Sequence, residues 1–163
     1  MYRPIILALD GSELAEEAIP HAAALARDFD TDVFVIRAVP LPRDYFDYDA
    51  FGAGRSYYDA LLDTLLKDAE LYVHTKVEAL RRTGVRANGH FQFGDPATVI
   101  LEAAEEHPEG AVVIATHGRS GVTRWALGSV ADKVVRQSPI PVILIRASQP
   151  APHARTEATS TTA

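Results

Sequence analysis

The part of this sequence best suited to hold a ligand is a glycine-rich stretch that follows an apolar run. It reads ATHGRSGVTRWALGS over residues 115–129 and comes directly after AVVI. Gly118 and Gly128 let the backbone approach a bound group closely, and Arg119 or Arg124 can supply positive charge. A helix starting at Ser129 would present free N–H groups and the positive end of its dipole. The stretch therefore predicts a phosphate-binding turn.

The same residues also have a purely structural interpretation. Gly118 and Gly121 can simply form a turn, and Ser129 can cap the helix through a capping box with Asp132. The position of the stretch favours a ligand, because open parallel sheets bind ligands beyond the carboxyl ends of their strands.

Asp10 is a second candidate, since it ends the first apolar run in LALDGSE. If the first and fourth strands are neighbours, its carboxylate faces the same crevice. There it can accept hydrogen bonds from ribose hydroxyls or an adenine amino group. Alternatively, Asp10 caps the first helix together with Glu13, in competition with Ser12.

The elements that must position these residues alternate along the chain. Short apolar runs predict buried strands, and the most polar of them suits a sheet edge. Apolar residues at helical spacing predict the helices between them. We predict strands at 4–9, 32–39, 85–93, 111–115 and 141–146, and helices at 13–29, 57–82, 96–107 and 129–137. This order indicates the α/β class, with one doubly wound, five-stranded parallel sheet and helices on both faces.

Prolines and an acidic cap mark several helix boundaries. Pro20 should kink the first helix or remove one of its hydrogen bonds. Asp95 should cap the third helix with Pro96 at its first position, and Pro108 should close it.

Two segments fall outside the alternation. Residues 40–56 form a connection longer than about 12–15 residues, which is typical of lids, binding loops or disorder. Residues 148–163 have little to bury and are expected to form a disordered tail after one domain at 1–147.

The composition, 47% hydrophobic and 23% charged over 163 residues, is that of an ordinary globular domain. A net charge of -6 argues against a nucleic-acid or anionic-membrane surface. The absence of cysteine excludes disulfides and thiolate metal sites. No apolar run approaches the roughly 18 residues of a membrane span, and the first residues do not resemble a signal peptide. A cytoplasmic protein is expected.

Taken together, these motifs resemble the universal stress protein family. Its nucleotide signature is a glycine, two residues, a second glycine, nine residues and then Gly-Ser. Gly118 is the second glycine here, RSGVTRWAL is the spacer, and Gly128 and Ser129 are the final pair. The opening ILALDGSELAEEAI, the GDP turn before the third helix and the closing PIPVILIR also match, so the resemblance covers nearly all of residues 2–146.

The resemblance implies a five-stranded parallel sheet whose crevice holds ATP, with any Mg²⁺ arriving with the nucleotide. Asp10 would contact the adenosine end, and the backbone at Ala38 would border the adenine. Ribose and phosphates would be held by two stretches, which are Ala115, Thr116, His117, Gly118 and Arg119, and Gly128, Ser129 and Val130.

Family members also form homodimers through the last strand. The alternating apolar residues of that strand agree with this, because an exposed edge of this kind is an aggregation hazard unless it is paired. Val142 and Leu144 are expected to face one way, and Ile143 and Ile145 the other.

The sequence departs from the signature at its first glycine, which is Ala115 here. We expect that the methyl group of Ala115 does not abolish ATP binding. The predicted function is an ATP-binding stress-response regulator with an unidentified protein partner. The alternative is a dimerising, partner-binding module that has lost nucleotide binding. An enzyme is not expected, because no P-loop, nucleophile elbow or metal-binding histidine spacing occurs, although slow ATP hydrolysis stays open.

Overall fold

The computed structural model of the chain describes residues 2–42, 55–116 and 127–146, with the side chains of the long helix from residue 58 onward. Most of the predicted 40–56 connection and the predicted tail therefore lie outside the described residues. The proposed domain boundary stays a prediction.

The alternating pattern of strands and helices is confirmed within the described residues. The strands are β1 (Ile5–Ala8), β2 (Val33–Val39), β3 (Ala87–Phe93), β4 (Ala111–Ala115) and β5 (Val142–Ile145). The helices are α1 (Glu13–Glu16), α2 (Ala18–Asp28), α3 (Arg55–Arg82), α4 (Pro96–Glu106) and α5 (Ser129–Gln137).

The five strands form one parallel sheet in the order β3-β2-β1-β4-β5. The first and fourth strands are therefore neighbours, with Ile5 opposite Ala111 and Ala8 opposite Ile114. The polar strand β3 lies at one edge, as its composition predicted. Because the chain builds outward from β1 first on one side and then on the other, β1 and β4 flank the point where the strand order reverses.

Strand alternation divides the interior into two cores, one on each face of the sheet. Ile5, Leu7 and Val35 belong to the core that packs beneath α2 and α3. Ile6 and Ile114 belong to the core beneath α4 and α5. The sheet is covered on both faces, which explains why its central strands read as continuous apolar runs.

Pro20 breaks the first predicted helix into two. A proline ring clashes with the carbonyl four residues earlier, which here belongs to Glu16, the last residue of α1. The chain turns at Glu17, and Pro20 then occupies the first turn of α2, where its missing N–H is tolerated.

The caps at the two helices near the predicted ligand turn differ from each other. Asp95 caps α4 by accepting a hydrogen bond from the Thr98 amide, as expected. The capping role predicted for Ser129 is wrong, because Gly128 is the N-cap of α5, and no side chain among the described residues caps this end. The Gly128 amide donates to Thr116 O at 2.8 Å, and α5 begins at Ser129, the residue at which the helix is predicted to start.

The long helix α3 approaches β3 closely at Gly89. A Cβ atom at this position would lie 2.6 Å from Val73 Cγ1 and 3.1 Å from Val35 O. Val73 is buried in the core. The absence of a side chain at residue 89 therefore allows α3 to pack against the edge of the sheet.

We predict that Gly89→Ala lowers the free energy of unfolding by about 1–3 kcal/mol, because overpacking displaces Val73. Asn88→Ala is the matched control, since Asn88 is exposed on the same strand and should change stability by less than about 0.5 kcal/mol. Urea unfolding of both variants measures the difference. Equal midpoints for the two variants would contradict the close approach.

Candidate functional site

A cavity of about 250 Å³ opens at the carboxyl edge of the sheet, where the strand order reverses. The ends of β1 and β4 form its floor. The connection after β1 leads toward β2, whereas the connection after β4 leads toward β5, so the two chain segments separate and leave a crevice.

The structure brings seven of the ten predicted site residues to this cavity. The other three, His117, Gly118 and Arg119, lie outside the described residues. The seven are Asp10, Ala38, Ala115, Thr116, Gly128, Ser129 and Val130. Their grouping comes from strand ends and one helix start, which are distant in sequence and meet only in the folded sheet.

The amino end of α5 forms one wall of the cavity. Asp132 N donates to Gly128 O at 2.8 Å, so the helical hydrogen-bond pattern begins there. The amides of Ser129, Val130 and Ala131 precede this bond and have no acceptor within the helix. Gly128 carries no side chain that could cap them, and this end of the helix can therefore attract an anion.

The base of the glycine-rich stretch is held in place by backbone hydrogen bonds. Thr116 N donates to Ile145 O, and Thr116 O accepts from Gly128 N, each at 2.8 Å. The hydrogen bond between Thr116 and Gly128 therefore holds the two ends of the stretch together beside the amides of α5.

Asp10 faces the cavity from the opposite side. Its Oδ1 accepts hydrogen bonds from the Ser12 amide at 2.9 Å and from Ser12 Oγ at 2.6 Å. Ser12 Oγ in turn accepts from Ala15 N at 3.1 Å and caps α1. The helix-capping alternative for Asp10 is therefore wrong: Ser12 is the cap, and Asp10, which lines the cavity, accepts hydrogen bonds from it.

The remaining lining is apolar and was largely missed from the sequence. Most of these residues lie on the strand ends and on α4, whose amino end reaches the same edge. They are Ala8, Leu9, Ala15, Ile36, Pro40, Pro96, Ile100, Ile114 and Ala131. The predicted order of elements could have indicated Pro96, since it opens a helix that follows a strand. The cavity thus combines apolar walls with a carboxylate on one side and helix-start amides on the other.

A polar link joins α4 to α5 beside this cavity. Asp95 Oδ2 accepts from Lys133 Nζ at 2.9 Å, from Thr98 Oγ1 at 2.8 Å and from the Thr98 amide at 3.1 Å. The hydrogen bond from Lys133, followed by those from Thr98, holds the pKa of the Asp95 carboxyl below its ordinary value. The link fixes the two helix starts relative to each other.

Two further properties concern the described residues alone. Within residues 2–42, 55–116 and 127–146, no group of three histidine or acidic side chains is placed to hold a metal ion. No helix in these ranges is long and apolar enough to cross a membrane.

An open parallel sheet whose strand order reverses, with a cavity at that reversal, defines a doubly wound α/β domain. The family model for the universal stress protein family matches residues 1–146. The chain belongs to that family, which confirms the resemblance seen in the motifs.

Known relatives agree with this placement. A universal stress protein of Thermus aquaticus is 33% identical over 147 residues, covering 90% of this chain and 100% of the relative. The fold is that of the universal stress protein UspA from Lactobacillus plantarum, with a TM-score of 0.77, 23% identity and coverage of 89% of this chain and 98% of the other. A universal stress protein from Archaeoglobus fulgidus, solved in complex with dAMP, has a TM-score of 0.62 at 26% identity, covering 89% and 98% of the two chains.

The Asp95 link gives a prediction about stability and pH. At pH 7, Asp95→Ala should lower the free energy of unfolding by about 1 kcal/mol, because it removes the cap of α4. Asp95→Asn keeps a capping oxygen and loses only the charge attraction to Lys133. The Asp95 side chain is more than half exposed, so the loss should be a few tenths of a kcal/mol.

The pH dependence follows from the lowered pKa of Asp95. Its ionised form stabilises the fold above the ordinary carboxyl pKa of about 4, and this stabilisation is lost as the pH falls through the lower folded-state value. Urea titrations at pH 7 and at pH 2.5 should therefore show the gap between the wild type and Asp95→Asn closing in acid. An unchanged gap would contradict the role of the charge.

Proposed function

We propose that this protein is an ATP-binding regulator of the stress response that acts as a homodimer. The observation that carries the proposal is the arrangement of one cavity between Asp10 and the uncapped amino end of α5. A nucleotide has a flat base, a hydroxyl-bearing sugar and an anionic tail, and these three parts correspond to the three surfaces of the cavity.

The proposed fit follows the chemistry of the walls. The phosphates lie against the amides of Ser129 and Val130, where the helix dipole favours negative charge. The ribose hydroxyls donate to the Asp10 carboxylate. The adenine lies in the apolar end of the cavity, beside the backbone of Ala38 and against Pro96.

His117, Gly118 and Arg119 keep their predicted place at the phosphates in this proposal. Support for an adenine nucleotide comes from the Archaeoglobus fulgidus relative, whose structure is a complex with dAMP. The choice of ATP, and of Mg²⁺ entering with it, rests on the length of the glycine-rich stretch and on its resemblance to the family signature.

The proposed mechanism is regulatory and not catalytic. A ligand at a hundred times its dissociation constant stabilises the folded state by about 2.7 kcal/mol. Contacts from α5, β1 and the glycine-rich stretch to one ligand would couple these segments, so that ATP occupancy changes the surface offered to a protein partner. The proposal assigns no catalytic residue.

Ala115 favours a second candidate function. Ala115 stands at the first position of the signature and lines the cavity. If it blocks the nucleotide, the protein is a dimerising partner-binding module whose interactions ignore ATP. The two candidates separate in the binding experiment below.

The dimer in this proposal forms through the edge strand β5. Val142 packs into the core beneath α5, whereas Ile143 and Ile145 pack on the opposite face. Leu144 is 39% exposed at the same edge. Addition of the same strand from a second copy would satisfy the backbone groups of this edge and cover Leu144.

The nucleotide-binding proposal is tested by calorimetry and thermal unfolding of the full chain with millimolar ATP and Mg²⁺. Saturating ATP should raise the melting temperature by about 5–10 °C. Ser129→Glu should abolish this shift, because it places a negative charge at the amino end of α5 without harming the helix. Gln137→Glu adds the same charge at the far end of α5 and should retain the shift. Absence of binding in the wild type would overturn the proposal in favour of the partner-binding module.

The same titration measures the effect of the methyl at residue 115. Ala115→Gly should tighten ATP binding, because a methyl against a ligand costs up to about 1–3 kcal/mol, or roughly ten- to two-hundredfold in affinity. Unchanged affinity would show that the Ala115 methyl does not touch the ligand.

Sedimentation equilibrium tests the dimer. The wild type should sediment as a dimer at micromolar concentration. Leu144→Glu should be monomeric, because it places one negative charge from each copy in the contact between the two strands. Leu71→Glu is the control, since Leu71 is 67% exposed on α3. A monomeric wild type, or a dimer unaffected by Leu144→Glu, would contradict this interface.

A further inference from the structure

Arg37 is a charged side chain buried in the core on the opposite face of the sheet from the cavity. It lies on β2 directly before Ala38, and the two side chains point to opposite faces. Only 8% of Arg37 is exposed. A buried guanidinium needs charged and hydrogen-bonding partners, because its desolvation is otherwise unfavourable.

The partners of Arg37 come from the long helix α3. Its Nη2 donates to Asp68 Oδ2 at 3.0 Å, and its Nη1 donates to Asp68 O at 3.4 Å. The guanidinium carbon lies 4.6 Å from the centre of the Tyr72 ring, within the range of a cation–π contact. Three groups on one helix therefore contact the guanidinium, although the Asp68 side chain is itself 68% exposed.

The Arg37 guanidinium lies beside Gly11, in the turn that carries Asp10. A Cβ atom at Gly11 would be 3.4 Å from Arg37 Nη2 and 3.5 Å from its Cζ. Gly11 adopts φ +88°, a conformation that other residues rarely take. The guanidinium thus lies next to Gly11, about one methyl group away, while Asp10 in the same turn lines the cavity.

The following helix α1 is held by the same group of side chains. Glu16 at its end accepts from Tyr72 Oη at 3.0 Å and pairs with Lys76 Nζ at 2.6 Å. Burial and the hydrogen bond to Glu16 raise the pKa of Tyr72, so its hydroxyl stays protonated and keeps donating. Both ends of the segment from Gly11 to Glu16 therefore rest on side chains that are anchored to α3.

We infer that Arg37 is a positioning residue: by supporting Gly11 from beneath, it fixes the Asp10 carboxylate at the sugar end of the cavity. This inference rests on the proposed function, because it assigns Asp10 a ligand. It also links nucleotide affinity to the position of α3, whose amino end follows the connection after β2. Arg37 itself does not line the cavity.

The test compares Arg37→Met with Val77→Ala, a cavity-forming change in the same core, on the helix α3 that supplies the partners of Arg37. Arg37→Met should weaken ATP binding about three- to tenfold, the equivalent of one hydrogen bond, and leave the affinity for inorganic tripolyphosphate unchanged. Asp10→Asn should show the same pattern. The double variant should bind ATP no more weakly than Asp10→Asn alone, since both changes act through one carboxylate. Val77→Ala should leave both affinities unchanged.

A measurement without ligand separates this inference from the proposed function. The Ser12 amide, which donates to Asp10, should exchange with solvent about tenfold faster in Arg37→Met and at the wild-type rate in Val77→Ala. If the wild type binds no ATP, the proposed function fails and the exchange rate alone decides the positioning role. Unchanged exchange at Ser12, or additive affinity losses in the double variant, would overturn the inference.

Discussion

The pairing of β1 with both β2 and β4 is the constraint on which the rest of the structure depends. Ile5, Ile6 and Leu7 are fully buried, and β1 can lie in the centre only if the chain builds the sheet outward from it in two directions. That reversal of order leaves a crevice at the carboxyl edge. The cavity is therefore a consequence of topology. Its lining comes largely from the carboxyl ends of the parallel strands and from the segments that follow them.

The two faces of the sheet perform different tasks because side chains alternate along each strand. Ala38 turns toward the cavity and leaves space for a flat group, whereas its neighbour Arg37 turns into the other core and supports the turn after β1. The same alternation in β5 places Ile143 and Leu144 on opposite faces at the free edge. The proposed binding site, the proposed support from Arg37 and the proposed dimer edge thus all use one period-two pattern.

The fold could be predicted from the sequence because its signals are local and strong. Apolar runs, helical stripes and the Asp95-Pro96 helix start each specify an element without tertiary context. The cap of α5 could not be assigned in this way, because serine and glycine are adjacent and both can cap. The hydrogen bond between Gly128 N and Thr116 O decides between them, and it joins residues twelve positions apart.

The site was only partly predictable for a related reason. Asp10 and Gly128 carry recognisable chemistry, so the sequence alone identifies them as candidates. Ile100 and Pro40 become lining residues only because the sheet brings their elements to one edge. Arg37 gives no signal at all, because an arginine within an apolar strand does not reveal which face it occupies or what supports its charge.

The central claim is that backbone amides at the start of α5 hold the phosphates of an adenine nucleotide. A crystal structure of the full chain grown with excess ATP and Mg²⁺ tests this most directly. The account predicts phosphate oxygens about 3 Å from the amide nitrogens of residues 129–131, with the ribose turned toward Asp10. A cavity that stays empty, or a nucleotide bound at another edge of the sheet, would contradict it.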